Sequence, residues 1–287
     1  MAVATSTRTR GFSGPRLHLG TIGIYATLIL GAIVMLYPFA YMLSTSLKSP
    51  AQVFLFPPRW IPDPIVWSNY LVALGRIGAR PFLNSFFFTA TVVVGQGAVT
   101  TMGGYAFARL HFPYRNVLFI AYLGTMMIPA VVLSIPTFVI VARLGWQDTY
   151  QGLIVPILAH GAFGTFLFRQ FFMTLPEELG DAATVDGANP LDIFWRIYLP
   201  LSKPALTAYC VITALSAWNM YLWPLIVIQS VELRPITLII AQYSGSMNTQ
   251  LNLMMAAVAL SLTPIFLLYL FGQRFFVEGI SMTGLKG

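Results

Sequence analysis

LHLGTIGIYATLILGAIVMLYPFAYMLSTSL, residues 17–47, contains no Asp, Glu, Lys or Arg. A helix needs about 20 mostly apolar residues to cross the hydrocarbon core of a bilayer, so this stretch is long enough to span one. Five further stretches free of those four residues reach the same length: 81–108, 116–142, 149–168, 204–231 and 235–273. The last opens on the polar segment Gln242 to Asn252, which moves its expected helix to Leu253–Phe271. The whole chain follows suit, with 57% hydrophobic and 9% charged residues among 287. A soluble domain carries about 25% charged residues. With far fewer, this chain cannot cover a water-facing surface, so most of its exterior must face lipid.

The sequence therefore predicts an all-α integral membrane protein with six transmembrane helices, at about 20–47, 82–108, 116–141, 150–169, 205–228 and 253–273. An N-terminal tail over 1–19 and a C-terminal tail over 278–287 complete the organisation, both expected on the cytoplasmic side. The first carries Arg8, Arg10 and Arg16 without an apolar core or small-residue cleavage site, and reads as a retained tail rather than a signal peptide. Lys and Arg bias sets the orientation. With the N-terminus inside, ten of the 16 Lys and Arg fall on inner segments and six on outer ones. Two outer connections are long, 48–80 and 229–252. Each reads either as a connector or as a surface for an extracytoplasmic partner.

Several chemistries lack their residues. The formal charge of +7 is spread too sparsely for a nucleic-acid-tracking stripe. Cys210 is the single cysteine, which excludes a disulfide or thiolate metal site, and His18, His111 and His160 lie too far apart for a local metal motif. No metal or cofactor is expected on this chain. None of Lys48, Lys203 and Lys286 follows a glycine, so a phosphate-cradling loop is absent. All nine acids lie outside the six stretches, which argues against ion coupling through intramembrane carboxylates.

Five of those nine acids sit within 177–192: Glu177, Glu178, Asp181, Asp186 and Asp192. Thr174, Pro176 and Glu177 read as a helix start with a capping box. Glu177, Glu178 and Asp181 are like-charged neighbours on the following helix, an arrangement that calls for a basic partner. Ala182 and Ala183 keep the neighbouring surface small, and Gly187 suits a left-handed C-terminal cap. Asn189-Pro190 then starts a second short helix that Leu199-Pro200 ends, giving a helix-turn-helix over 174–203 that faces the cytosol.

Asp181-Ala182-Ala183, Gly187 and Ile197-Tyr198-Leu199-Pro200 resemble, at every spacing, the Glu-Ala-Ala loop of binding-protein-dependent ABC importer permeases, with Asp181 where the family usually has Glu. The resemblance runs from about Thr101 to Gly287 and is closest to the carbohydrate branch of the maltose-importer type. Gly103–Arg109, Pro176–Leu179, Trp218-Asn219, Trp223-Pro224-Leu225 and Gly284–Gly287 carry it further. It implies a type I importer permease in a bacterial cytoplasmic membrane, itself no enzyme. It also implies a second homologous permease subunit, two cytosolic ATPase subunits that bind ATP and magnesium, and an extracytoplasmic sugar-binding protein or lipoprotein. Glu178, Asp181, Ala182, Ala183, Asp186, Gly187, Ile197, Leu199 and Pro200 would couple to the ATPase, with Asp181 meeting a basic residue there. Tyr243, Ser244, Gly245, Ser246 and Asn248 would form a mobile probe that meets the binding protein, and Gly284, Lys286 and Gly287 would reach the ATPase interface. The cargo would be a disaccharide such as maltose or trehalose; 13 Arg against 3 Lys points to a GC-rich genome, where trehalose importers of this kind occur.

Trp218, Asn219, Tyr221 and Trp223 in the fifth stretch combine aromatic faces with polar groups, the two things sugar recognition uses, though aromatics in membrane helices also serve packing. His160, Asn84 and Gln96 read as packing hydrogen-bonders. Pro129, Pro136, Pro156, Pro224 and Pro264 each interrupt a backbone hydrogen bond and would kink their helices. A self-sufficient secondary carrier or channel, and an integral membrane enzyme, are the competing classes; the second needs a polar catalytic cluster that the sequence does not supply.

Overall fold

The computed structural model describes residues 19–246 and 250–283, with side chains placed for 21–243 and 250–270. The described residues hold helices and turns and no strand. α1 (Leu19–Ser46) is apolar all round and exposes Ile24, Leu28, Ile33 and Met35 along its length, so lipid is its only suitable surrounding. A ten-residue helix, α2 (Ser68–Ile77), interrupts the connection over 48–80. α3 (Arg80–Arg109) is the hub. It packs against α6 (Tyr150–Ala159), α7 (Ala162–Met173) and α9 (Lys203–Trp218). α4 (Arg115–Gly124) and α5 (Ala130–Arg143) precede α6, and α8 (Glu178–Val185) follows α7. After α9 come α10 (Leu222–Val227), α11 (Ile236–Ser246) and α12 (Leu251–Thr283). α12 packs on α1, α2 and α9.

Within α1, α3 and α12 the segments Thr21–Ser46, Arg80–Arg109 and Leu251–Leu270 are each long and apolar enough to cross a membrane, with mean hydropathies of 2.0, 1.4 and 2.2. Two more expected spans are broken. The chain bends by 102° between Arg115–Met127 and Ala130–Arg143, where Pro129 withholds an amide, and by 43° between α6 and α7. The stretch expected as one span over 205–228 is also two helices, 16-residue α9 and 6-residue α10, separated at Asn219–Tyr221. Pro38, Pro136 and Pro264, by contrast, sit inside continuous helices. At the far end α12 runs on past 273 to Thr283, because Gln273 and Arg274 end a span without ending a helix.

Close approach at the hub depends on small residues, the usual device where lipid removes a hydrophobic drive between helices. A Cβ on Gly104 would stand 2.5 Å from the Phe168 Cβ and 2.9 Å from the Arg169 amide nitrogen, so α3 and α7 touch backbone to backbone there. Polar groups lock the same seam. Gln96 Nε2 donates to the Ile157 carbonyl at 2.7 Å and its Oε1 accepts from the Tyr209 hydroxyl at 3.3 Å, joining α3, α6 and α9. Asn84 donates to the carbonyls of Glu232 and Arg234 and accepts from Tyr150, and His160 Nδ1 sits 2.7 Å from the Pro156 carbonyl. Gln96 and Asn84 are thus packing hydrogen-bonders, whereas the exposed His160 bonds only the preceding turn of its own chain.

At the Arg80 end of α3, Asp148 pinches two connections together. Its Oδ1 accepts from the Gln229 amide, the Ser230 amide and the Ser230 hydroxyl, each at 2.9 Å, while its own amide donates to Val227. The Ser230 amide is the main reason the Asp148 carboxyl is held below the usual carboxylate range. Because that pKa is depressed, the pinch is fully present above pH 3.8 and disappears as pH falls through the lower folded value. Hydrogen exchange at the Gln229 and Ser230 amides, corrected for intrinsic rate, is expected to stay slow down to that point and to be fast at all pH values in Asp148→Asn. Gly104→Leu is expected to cost about 1–3 kcal/mol by overpacking, read as a lower unfolding temperature of the detergent-solubilised protein.

Candidate coupling site

The site lies at the Arg109 end of α3, opposite the Asp148 pinch. Thr174 does not start α8. It holds helical backbone angles and its hydroxyl donates back to the Phe171 carbonyl at 2.7 Å, closing α7. With its hydroxyl engaged there, Thr174 makes no capping box, and α8 begins at Glu178 behind Glu177, which has no side-chain cap bond.

The other end matches its sequence signals. Gly187 takes φ +83°, its amide donates to Thr184 and the Ala188 amide reaches back to Ala183, the paired bonds of a left-handed C-cap. Asn189 Oδ1 accepts from the Leu191 and Asp192 amides at 2.9 and 3.0 Å, with Pro190 at the first helical position. The short turn Pro190–Ile193 continues into a π-turn, Phe194–Tyr198, and runs through Pro200 to Leu201 rather than stopping at Leu199-Pro200. In the π-turn the Leu199 amide bonds Phe194, a five-residue step, so the ladder has already slipped when it meets the proline that lacks an amide hydrogen.

This hairpin stands on an aromatic floor. Phe168, Phe172, Ile193, Phe194, Tyr198 and Tyr105 form one buried cluster, and Ala183, Ile197 and Leu199 pack onto it. Tyr105 and Phe172 flank the Tyr198 ring with centroids 5.2 and 5.7 Å away. The expected coupling residues therefore divide. Ala183, Ile197 and Leu199 prop the hairpin from inside, whereas Glu178, Asp181, Ala182, Asp186, Gly187 and Pro200 face outward. Glu178, Asp181 and Asp186 form no salt bridge among the described residues. Val185 and Trp195, 88% and 55% exposed, put large apolar surface beside those acids. Burial pushes the Tyr198 hydroxyl above its ordinary pKa, with Glu177 and Asp181 adding and Arg109 opposing.

Arg109 was absent from the sequence-derived set. Its guanidinium donates to the Phe172 carbonyl at 2.7 Å and to the Leu175 carbonyl, pairs with Glu177 at 3.1 Å, and lies 5.3 Å from the Tyr198 ring centre. In the sequence it closes the Gly103–Arg109 stretch and an apolar run, which as chemistry looks the same as an ordinary interfacial anchor.

Elsewhere the expected residues separate. Trp218 is buried, donates to the Ser261 carbonyl at 3.3 Å and stands edge-on to Phe86; Trp223 is half-buried and donates to Leu153 at 3.1 Å. Asn219 and Tyr221, at the break between α9 and α10, are exposed. Tyr243, Ser244, Gly245 and Ser246 lie in the helix α11, not in an irregular loop. Asn248, Gly284, Lys286 and Gly287 lie outside the described residues.

Residues 100–282 match the family described as binding-protein-dependent transport system inner membrane component. The chain belongs to that family. It is 39% identical over 266 residues to the sn-glycerol-3-phosphate transport system permease protein UgpE of Pectobacterium atrosepticum, covering 89% of this chain and 94% of the relative. The protein of that name in Salmonella choleraesuis is 38% identical over 270 residues, covering 91% and 95%. Among solved structures, one described as a bacterial ABC transporter involved in the import of the acidic polysaccharide alginate superposes with a TM-score of 0.79 at 28% identity, over 92% of this chain and 100% of that one. The chain is accordingly a multi-pass inner-membrane permease subunit of an ABC importer with the type I fold, not an enzyme. An importer of this family works with a partner permease, ATPase subunits that hydrolyse ATP, and a substrate-binding protein.

Gly187→Val forces a β-branched side chain into left-handed backbone at roughly 1–2 kcal/mol. The variant is expected to insert in the membrane while substrate-stimulated ATP hydrolysis by the assembled importer falls; unchanged rates would contradict the capping argument.

Proposed function

We propose that this chain forms half of the translocation pathway of an ATP-driven importer of a polyhydroxylated solute, and that α8 and its hairpin dock in a cleft of a cytosolic ATPase subunit. The observation that carries this reading is the exposed acidic face of α8 beside Val185 and Trp195, mounted on a buried aromatic floor. Such a face is rigid, solvent-exposed and unsatisfied by its own chain, so a basic cleft on another polypeptide would complete it. In this reading the bundle crosses the membrane six times with both termini cytoplasmic, α11 and its neighbours meet the extracytoplasmic binding protein or lipoprotein, and Asp181 faces a basic residue of the ATPase. ATP and magnesium stay on the partner subunits.

A disaccharide such as trehalose or maltose is the first cargo, recognised at the exposed Asn219 and Tyr221. A phosphorylated polyol is the second reading, supported by Arg76 and Arg80 lining a cleft with Gln242 and Tyr243 at the Arg80 end of α3. The UgpE relatives, named for sn-glycerol-3-phosphate, favour the same alternative.

The chain is expected to purify from its native membrane together with a second permease and an ATPase, and a lone chain that moves solute down an ion gradient would overturn the reading. Asp181→Lys is expected to weaken ATPase association while Asp181→Glu retains it. ATPase stimulation of the reconstituted importer by its loaded binding protein, compared among trehalose, maltose and glycerol 3-phosphate, decides the cargo.

A further inference from the structure

Arg109 ends α3, the helix against which most of the bundle packs, yet its side chain points away from water. It is only 10% exposed. A buried guanidinium is costly unless its donors are met, and the acid that pairs with this one at 3.1 Å is itself 85% exposed, so solvent screens its contribution. The compensation comes from neutral groups. Nη2 donates to the Phe172 carbonyl in the last turn of α7, at the negative end of that helix's dipole and already shared with the Leu175 amide, and to the Leu175 carbonyl just past the helix end. The Tyr198 ring supplies a further face for the cation. Nε is buried with no hydrogen-bond partner among the described residues, so the side chain is placed for what its fork reaches and not for its own solvation.

The fork reaches residues 172, 175 and 177, which bracket the short joint between α7 and α8. One planar side chain therefore fixes the joint from which the coupling helix emerges to the inner end of the hub helix. An interfacial anchor would extend its charge toward water or headgroups; this one turns inward and grips the chain. Arg suits the task because its donors diverge in a plane, and Lys offers a single nitrogen that cannot reproduce the spread.

We propose that Arg109 is the positioning residue through which displacement of α8 becomes displacement of α3. This rests on the coupling role proposed for α8. If α8 and the inner end of α3 move as one body, holding them together must be harmless, and loosening the grip must waste ATP hydrolysis without slowing it in proportion.

The test uses the assembled importer in lipid, with Cys210→Ala to remove the native thiol. The measurement is the ratio of substrate-stimulated to unstimulated ATP hydrolysis, alongside transport. Arg109→Lys is expected to lower that ratio at least about fivefold, the scale of a typical coupling energy between sites. His111 and Thr184 both line the cleft beside Arg109, one just past α3 and the other on α8. Joining His111→Cys to Thr184→Cys with a short bifunctional thiol reagent is expected to leave the Arg109 importer's ratio intact and to restore the ratio in Arg109→Lys. A wild-type ratio in Arg109→Lys would overturn the proposal. So would loss of the ratio on cross-linking the chain that retains Arg109, a result that stands even if Arg109→Lys fails to insert. Failure of the unaltered chain to assemble with an ATPase would instead sink the coupling role of α8 itself.

Discussion

Hydrocarbon offers no hydrogen bonds, and the rest of this structure follows from that constraint. Every backbone amide within the bilayer must be met inside its own helix or by a neighbour. Charge is driven to the ends of the bundle, and most chain breaks are capped or bridged by the protein. The Gln96 amide meets the Ile157 carbonyl just before the chain breaks between α6 and α7, and the Trp223 indole meets Leu153 one turn below the break between α9 and α10. These contacts tie neighbouring helices together beside the breaks, side chain to backbone. They also account for buried Asn and Gln in a chain with so few polar residues.

The second consequence is the form of the coupling end. Without a hydrophobic drive between helices, close contact has to come from shape, and Gly104 lets α3 lie directly on α7. That contact sets Tyr105 beside Phe172 and Tyr198, and so builds the floor of the hairpin. The fixed floor leaves the acids of α8 no direction but outward. An exposed acidic helix on a basic, lipid-embedded chain is thus a product of packing at one glycine as well as of local sequence.

Composition and charge-free length made the membrane class legible, because lipid imposes the same demand on every span. Gly187 and Asn189 were legible for a different reason: each satisfies a local backbone need that few other residues can meet. Thr174 misled because the same hydroxyl can close one helix or open the next, and only the backbone angle decides. The break at Pro129 was legible from its missing amide hydrogen, whereas those at His160 and Asn219 were not, and Pro136 and Pro264 in equally apolar surroundings sit inside continuous helices. α11 was masked by its serines and glycine, whose weak propensity is overridden by packing of Ile236 and Ile239 beneath it. The contacts of Arg109 left no local signal, because its hydrogen-bond acceptors are backbone carbonyls more than sixty residues away.

The distribution of stiff and broken parts bears on how such a bundle can change shape. The coupling end is stiff: the joint before α8 is gripped, the turn after it is double-bonded, and both rest on interlocked rings. α3 carries that stiffness as an unbroken helix of 30 residues toward the opposite end. The helices that line it are different, since α4 with α5, α6 with α7, and α9 with α10 each divide part-way. A push at α8 cannot be absorbed where it enters, because packed rings and short hydrogen bonds have discrete rather than graded arrangements. In the coupling role proposed for α8 it would reappear where the helices divide, at Ile128–Pro129, His160–Gly161 and Asn219–Tyr221. The last of these holds the exposed Asn219 and Tyr221, so in the proposed function the shape change would meet the solute at the break between α9 and α10.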